Sequence, residues 1–230
     1  MINTYYDQLY KLQDQVLEIV FAEPLGFYLT GGTALSRFYF QHRYSDDLDF
    51  FHSDVAVFPD AFRIGMNLLK NRWPDIHIEV DGRDFKRLRI KVDDINLKLD
   101  FVADRVPRIG LPQKLGKLRI DTVRNILSNK ICAILGRDEA KDMADFLWIS
   151  KNRRFYWPEI ITEAQQKEIF TQEDLIYRLR AFPVTMLEHV TFQQEISYTE
   201  LQKELQQIIK DIEQQDYNHL ADQDKSQSLE

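Results

Sequence analysis

The chain has 230 residues and a formal net charge of −7 at pH 7, because 37 Asp and Glu residues outnumber 30 Lys and Arg residues. Hydrophobic residues make up 44% and aromatic residues 12% of the chain, which excludes a disordered or fibrous protein and favours a packed core. The single Cys132 excludes an internal disulfide, and no segment has the pattern of a signal peptide or of a membrane-spanning helix, so we expect a cytoplasmic protein without membrane contact.

A strand, a glycine pair and a helix form the first informative group of elements. Apolar residues spaced three and four apart predict an amphipathic helix over 5–19. A short strand over 27–30 closes on Gly31-Gly32, and a helix is predicted over 33–41. Three further elements are predicted: a turn that runs into a strand over 45–51, a helix over 58–72 and a strand over 76–80.

A β-hairpin is the clearest pattern in the middle of the chain. Two alternating segments, 87–92 and 95–101, flank Asp93-Asp94. With these two residues in the turn, every apolar residue of one strand lies opposite an apolar residue of the other, in the pairs Val92–Ile95, Ile90–Leu97 and Leu88–Leu99. The other face then carries Arg87, Arg89, Lys91, Asn96, Lys98 and Asp100.

The C-terminal part of the chain has helical periodicity and no convincing strand. Asp121 or Thr122 can cap a first helix and Asp138 a second. Further helices are predicted over 158–169, 171–190 and 197–215. We therefore predict an α+β fold with three parts: a mixed or antiparallel sheet flanked by helices over 1–120, a helical part over 121–215 and a flexible tail over 216–230.

The glycine pair Gly31-Gly32 and Thr33 stand between a strand and a helix. Glycines let a ligand approach the backbone closely, and the free N–H groups at a helix start favour an anion such as phosphate. Ordinary turn chemistry is the alternative for this feature taken alone.

Two carboxylates, Asp47 and Asp49, lead into an apolar strand. Alternate residues of a strand point to the same side, so both carboxylates can converge on one cation, and hard oxygen ligands suit Mg²⁺. A surface turn rich in Asp is the alternative, although strands are depleted in Asp.

A third carboxylate, Asp100, lies on the polar face of the predicted hairpin. It can complete the metal site with Asp47 and Asp49 or accept a proton from an attacking hydroxyl. In the predicted register it also lies opposite Arg87, and a cross-strand ion pair would satisfy both groups.

Together these segments resemble a nucleotidyltransferase signature. The series GGTALSRFYFQHRYSDDLDFF, followed by LKLDF, is similar to the AbiEii/AbiGii family of nucleotidyltransferase-like toxins of type IV toxin–antitoxin systems. A downstream pattern strengthens the resemblance and consists of Lys130, Ala133, Arg137, Lys141, Asp142 and Asp145. The resemblance spans roughly residues 27–149 and implies a nucleotidyltransferase-like fold with a helical part that completes the active-site cleft.

The resemblance also implies a mechanism. Asp47 and Asp49 would hold Mg²⁺ on a nucleoside triphosphate (NTP), and Asp100 would help to activate an acceptor hydroxyl. Lys130 would neutralise triphosphate charge, Asp142 would lie near the active centre, and the remaining candidate phosphate contacts are Gly31, Gly32, Thr33, Arg43, Arg137 and Lys141. An RNA 3′ end, especially of tRNA, would be the acceptor, growth arrest the outcome and a nearby-encoded antitoxin the regulatory partner.

The residues alone leave other interpretations open for these positions. Lys130 borders an apolar helical stripe, where its stem can cover apolar surface while its ammonium reaches water. Arg43 can pair with neighbouring aspartates, and Lys141 with Asp145 one helical turn away on a polar side of their helix. Basic residues over 83–91 and 105–119 are either solvated faces or a guide for RNA.

Two alternatives to RNA modification keep the same nucleotide site. One is a nucleotide-binding regulatory protein that transfers nothing, and the other is an NTP transferase that modifies a protein.

Overall fold

The structure is a computed structural model that describes residues 2–221 and 227–229. The chain divides into two compact units, and neither unit is a continuous stretch of sequence. Unit 1 comprises Met1–Ala34, Ser45–Arg105 and Leu111–Asp121, and unit 2 comprises Leu35–Tyr44, Val106–Gly110 and Thr122–Glu230.

Unit 1 is built on a mixed seven-stranded sheet with the strand order β3-β4-β5-β2-β1-β7-β6. Its strands are β1 (Tyr28–Thr30), β2 (Leu48–His52), β3 (His77–Asp81), β4 (Phe85–Val92), β5 (Ile95–Ala103), β6 (Gln113–Leu115) and β7 (Leu118–Ile120). β2 runs parallel to β5 and β1 parallel to β7, whereas the other neighbours are antiparallel. The predicted α+β fold is confirmed.

Two helices, α1 (Ile2–Val20) and α3 (Phe58–Arg72), pack with the apolar face of this sheet into the core of unit 1. Phe50 of β2 and Phe101 of β5 stack at 4.9 Å between ring centroids, and Phe62 of α3 meets Phe101 edge-on at 5.4 Å. Because side chains alternate along a strand, the polar residues between these apolar ones lie on the opposite face of the sheet.

The predicted hairpin is confirmed with its register, because Val92 pairs with Ile95, Ile90 with Leu97 and Leu88 with Leu99. The predicted helix over 58–72 coincides with α3. β6 and β7 were not predicted, since both strands have only three residues and every residue of β6 is exposed.

The helix after the glycine pair begins two residues earlier than predicted. It consists of an α-helical turn, α2 (Gly31–Ala34), followed by a π-helical segment over Leu35–Phe40. Gln41 donates its N–H to the carbonyl of Ser36 at 3.0 Å, which is the five-residue spacing of a π-helix.

Unit 2 is mainly helical. Its elements are α4 (Val123–Gly136), α5 (Ala140–Asn152), α6 (Trp157–Gln165), α7 (Gln172–Ala181), a 3₁₀ turn (Val184–His189), α8 (Tyr198–Glu213) and a short ladder of β8 (Arg153–Arg154) with β9 (Gln227–Ser228). None of the helices within the described residues combines the length and the apolarity needed to cross a membrane.

Several predicted boundaries in this unit change. The predicted helix over 171–190 ends at Ala181, because Pro183 removes a backbone donor and restricts the residue before it. Thr122 caps α4 through the N–H of Asn125, as predicted. The predicted cap Asp138 is wrong, since Glu139 occupies the N-cap position of α5 and the Asp138 carboxylate pairs with Arg178.

The predicted tail over 216–230 falls partly outside the described residues, which omit 222–226 and 230. Within its described part, Asn218 is buried and donates its side-chain N–H groups to the carbonyls of Ser150 and Arg153 at 2.6 and 2.8 Å. These two bonds connect residue 218 to the end of α5.

Candidate active site

A row of polar residues crosses four neighbouring strands of unit 1. Arg87 of β4 pairs with Asp100 of β5, Asp100 with Asp49 of β2, and Asp49 with Thr30 of β1. Directly paired residues share a face of the sheet, so all four side chains lie on the face opposite the aromatic core. The register therefore brings together two of the predicted catalytic carboxylates, and Asp47 directly precedes β2.

The carboxylate of Asp49 explains why position 31 is a glycine. The φ of Gly31 is +71°, and a Cβ atom at this position would lie 2.6 Å from Oδ2 of Asp49. A side chain would both strain the backbone and collide with the carboxylate. The glycine thus gives Asp49 the space it occupies over the start of α2.

The variant Gly31→Ala is expected to lower the free energy of unfolding by about 1–2 kcal/mol and to reduce catalysis by displacing Asp49. Chemical denaturation and a transfer assay measure the two effects. Gly116→Ala is the matched control, because Gly116 also has a positive φ of +60° but nothing within 4 Å of the added Cβ. Equal losses of activity in both variants would contradict the proposed collision.

The carboxylates of this face have cationic partners in unit 1. Arg87 donates to both oxygens of Asp100, from Nε at 2.7 Å and from Nη2 at 2.8 Å, so the open alternative of a cross-strand ion pair is the one observed. Lys98 Nζ lies 2.7 Å from Oδ2 of Asp47 and 3.9 Å from Oδ2 of Asp100. Lys98 was predicted on this face of the hairpin, but no role was predicted for it.

Among residues 2–221 and 227–229, no group of three or more His, Cys, Asp or Glu side chains is close enough to hold one metal ion. The predicted set of Asp47, Asp49 and Asp100 is therefore not assembled as three ligands of one ion, and Asp100 is instead paired with Arg87. Mg²⁺ commonly uses only one or two protein carboxylates and completes its shell with water and substrate phosphates. Asp47 and Asp49 fit such a site by the chemistry of their donor atoms.

Thr33 and Gly32 lie inside the protein. The Thr33 hydroxyl hydrogen-bonds to the backbone carbonyl of Asp47 and lies 2.8 Å from Oγ of Ser45. Its side chain therefore connects the start of α2 to the segment that carries Asp47. Any contact of Thr33 with phosphate would come from its backbone N–H.

Unit 2 holds a second group of charged residues, which we call the buried charge cluster: His42, Arg43, Lys130, Asp142 and Asp145, all at most 8% exposed. Arg43 donates to both oxygens of Asp145 at 2.7 and 2.8 Å, and His42 Nε2 lies 2.8 Å from Oδ1 of the same carboxylate. Lys130 Nζ lies between Asp142 Oδ1 at 2.7 Å and Asp145 Oδ2 at 2.6 Å.

The electrostatics of the cluster keep Lys130, Asp142 and Asp145 charged. Burial opposes ionisation of Asp145, but Arg43 and Lys130 outweigh it and hold the pKa of this carboxyl well below its usual range. Burial likewise opposes the charge of Lys130, yet the two aspartates raise the pKa of its ammonium. Inside the protein, the charges of Arg43 and Lys130 therefore balance those of Asp142 and Asp145.

The burial of His42 is expected to make the stability of the protein depend on pH. Burial lowers the pKa of the His42 imidazole below 6.5 despite the nearby Asp145. As the pH falls, the unfolded chain therefore binds a proton at this residue before the folded chain does. The free energy of unfolding is expected to fall as the pH drops below about 6.5. It is expected to fall further below about pH 4, because Asp142 and Asp145 have lower pKa values in the folded than in the unfolded chain, so the unfolded chain takes up protons first.

Urea denaturation between pH 5 and 8 measures this dependence. His42→Gln keeps a donor for Asp145 and is expected to flatten the dependence, whereas His189→Gln, at an exposed position, is expected to retain it. An unchanged slope in His42→Gln would assign the dependence to other groups.

The cluster corrects the sequence interpretation of α5. On a helical wheel Asp142 and Asp145 fall opposite the apolar residues of this helix and were predicted to face water, but both are buried. Asp145 pairs with His42, Arg43 and Lys130. Lys141 is exposed, and Arg137 is largely exposed while its Nε donates to Asp142 at 2.8 Å. Asp145 and His42 were not among the predicted site residues, although both belong to the quoted motif.

The predicted basic cluster over 83–91 is divided between the two faces of the sheet and is partly neutralised. Lys86 pairs with Asp81, and Arg89 with Glu79. Arg87 and Arg89 lie on the carboxylate face, whereas Lys86 lies on the other face.

Residues 18–228 match the family model described as nucleotidyl transferase AbiEii toxin, type IV TA system. No curated protein sequence matches significantly.

Solved structures of other proteins share the fold. JHP933 from Helicobacter pylori is 24% identical with a TM-score of 0.60, and the match covers 91% of this chain and 94% of that chain. MenT4, a nucleotidyltransferase toxin from Mycobacterium tuberculosis, is 13% identical with a TM-score of 0.62, covering 91% and 84%. The family match confirms the resemblance inferred from the motifs: this chain belongs to the AbiEii family of nucleotidyltransferase toxins of type IV toxin–antitoxin systems.

Proposed function

We propose that this nucleotidyltransferase moves a nucleoside monophosphate from an NTP to the 3′ end of an RNA, with tRNA as the acceptor and growth arrest as the outcome. The observation that carries the proposal is the alignment of Asp49 with Asp100 beside Gly31 on one face of the sheet. Family membership supports the reaction class and implies a cognate antitoxin as the regulatory partner. The cytoplasm, where tRNA is used, is the implied compartment.

In the proposed reaction, the oxygen of the acceptor hydroxyl forms a bond to the α-phosphorus of the NTP. The bond between the α-phosphorus and the oxygen that bridges to the β-phosphorus breaks, and pyrophosphate leaves. Asp47 and Asp49 would hold Mg²⁺, whose charge would stabilise the negative charge that develops on the phosphates. The backbone at Gly31, Gly32 and Thr33 orients the phosphates at the start of α2. Positioning and electrostatics of this kind supply most of the catalysis, so no nucleophilic side chain is needed.

Asp100 would act in this proposal while it is paired with Arg87. Each of its oxygens accepts one hydrogen bond from Arg87, and the carboxylate keeps further lone pairs that can take the proton of the acceptor hydroxyl. Arg87 keeps Asp100 aligned beside Asp49.

The residues assigned to phosphate binding in the second half of the motif have other contacts in unit 2. Lys130 and Asp142 belong to the buried charge cluster, which supports a role in holding unit 2 together. Contacts of Arg43, Lys130, Arg137 and Lys141 with phosphate, and of Asp142 with the active centre, stay predictions of the family resemblance.

The test incubates the full chain with Mg²⁺, each of the four α-labelled NTPs in turn, and either total tRNA or a protein extract. Label is expected on tRNA from one or more NTPs. Periodate-oxidised tRNA is the matched control, because it lacks the intact 3′-terminal diol and should accept nothing. Label on protein alone would favour the protein-modifying alternative, and bound nucleotide without any transfer would favour the regulatory one.

A further inference from the structure

The contact between Lys98 and Asp47 is built into the backbone of unit 1. β2 and β5 run parallel with Asp49 beside Asp100, so residue 47, two positions earlier, comes to lie beside residue 98 on the same face. Lys98 Nζ is 2.7 Å from Oδ2 of Asp47. The sheet register itself therefore places an ammonium group on a carboxylate of the proposed metal site.

Lys98 and Arg87 hold their carboxylates in different ways. Arg87 donates two parallel hydrogen bonds from its planar guanidinium to Asp100. This bidentate geometry makes the Arg87 side chain hard to displace from the carboxylate. Lys98 makes one close contact through a flexible four-carbon stem, and the Asp47 side chain is 35% exposed. A single solvated ion pair opens at little cost in free energy.

We propose that Lys98 is a displaceable counter-ion of the metal site, so that its ammonium and a divalent cation compete for the same oxygen of Asp47. This inference rests on the proposed metal-dependent function. Lys98 neutralises part of the charge of Asp47, Asp49 and Asp100 when no divalent cation is bound. It thereby weakens uptake of the bare cation and makes binding depend on the additional oxygen ligands of the NTP.

The test measures Mn²⁺ binding to the full chain without nucleotide, by calorimetry or by the paramagnetic resonance of free Mn²⁺. Lys98→Met removes a positive charge at hydrogen-bonding distance from Asp47 and is expected to tighten binding about 10-fold. Lys98→Arg keeps the charge and is expected to give no gain. Lys91→Met removes the charge of an exposed lysine on the same face of the sheet. It controls for the effect of one fewer positive charge on this face without a contact to Asp47.

A double variant tests whether the effect passes through Asp47. The gain from Lys98→Met should disappear in an Asp47→Asn background, because the contested oxygen is then no longer charged. A gain in Mn²⁺ affinity that persists in the Asp47→Asn background, or an equal gain in Lys91→Met, overturns the inference. Either result would assign the gain to the net charge of the face rather than to competition for Asp47. Lys98→Gln provides a second uncharged variant, and circular dichroism checks that each variant is folded.

The outcomes separate this inference from the proposed function. If wild type binds Mn²⁺ and Asp49→Asn does not, while Lys98→Met binds as wild type does or more weakly, the role of Lys98 is overturned and the metal site stands. If neither wild type nor the Lys98 variants bind Mn²⁺ even with a non-hydrolysable NTP analogue, the metal-dependent function falls, and the inference falls with it.

Discussion

Replacement of Asp49 by asparagine is expected to lower nucleotidyl transfer by about 10³-fold while the protein stays folded. Asp49 lies between Thr30 and Asp100 in the sheet, and its carboxylate covers Gly31. Asparagine has nearly the same volume, so this packing is retained, but the negative charge that would bind Mg²⁺ is lost. Initial rates with labelled NTP and tRNA measure the effect.

Asp60→Asn is the control for this variant. Asp60 lies on α3 of the same unit, and its side chain is 77% exposed beside Arg63. Its loss is expected to leave the rate unchanged. A rate for Asp49→Asn within tenfold of wild type would exclude Asp49 as a metal-binding catalytic residue.

Asp145→Asn is expected to have the largest effect on stability, a loss of about 3–5 kcal/mol in the free energy of unfolding. Asp145 accepts hydrogen bonds from Arg43 and His42 and pairs with Lys130, and no part of its side chain is exposed. Removing its charge leaves two buried cations with Asp142 as their remaining buried counter-ion. Urea denaturation of purified protein measures the loss.

A second pair of variants separates charge from packing in this cluster. Asp138→Asn breaks the ion pair with Arg178, but Asp138 is 71% exposed, and the change should cost well under 1 kcal/mol. Arg43→Met combined with Asp145→Leu removes both partners and should recover part of the stability lost in Asp145→Asn. A double variant less stable than Asp145→Asn would show that hydrogen-bond geometry, rather than unpaired charge, dominates.

Local patterns explain which parts of the fold were predictable. The β4–β5 hairpin was predicted with its register because its turn, Asp93-Asp94, and its alternation lie within a short stretch of sequence. The opposition of Asp100 and Arg87 followed directly from that register. The parallel pairing of β2 with β5 was not predictable in this way, because no turn joins the two strands. The contact of Asp47 with Lys98 depends on that pairing.

The buried charge cluster was misread for a related reason. A helical wheel assumes that one side of a helix faces water, but α5 buries Asp142, Met143, Ala144, Asp145 and Leu147, which lie around most of its circumference. The groups that neutralise Asp145 include His42 and Arg43, from a distant segment. No periodicity within α5 can reveal such partners.

The distance along the chain between Arg43 and Asp145 has a consequence for synthesis. The two residues are 102 positions apart, so at about 5–20 residues per second a ribosome needs roughly 5–20 s to produce the second after the first. During that time Asp145 is not yet available to pair with Arg43. We therefore expect the folding of unit 2 to begin late in translation, after α5 has left the exit tunnel.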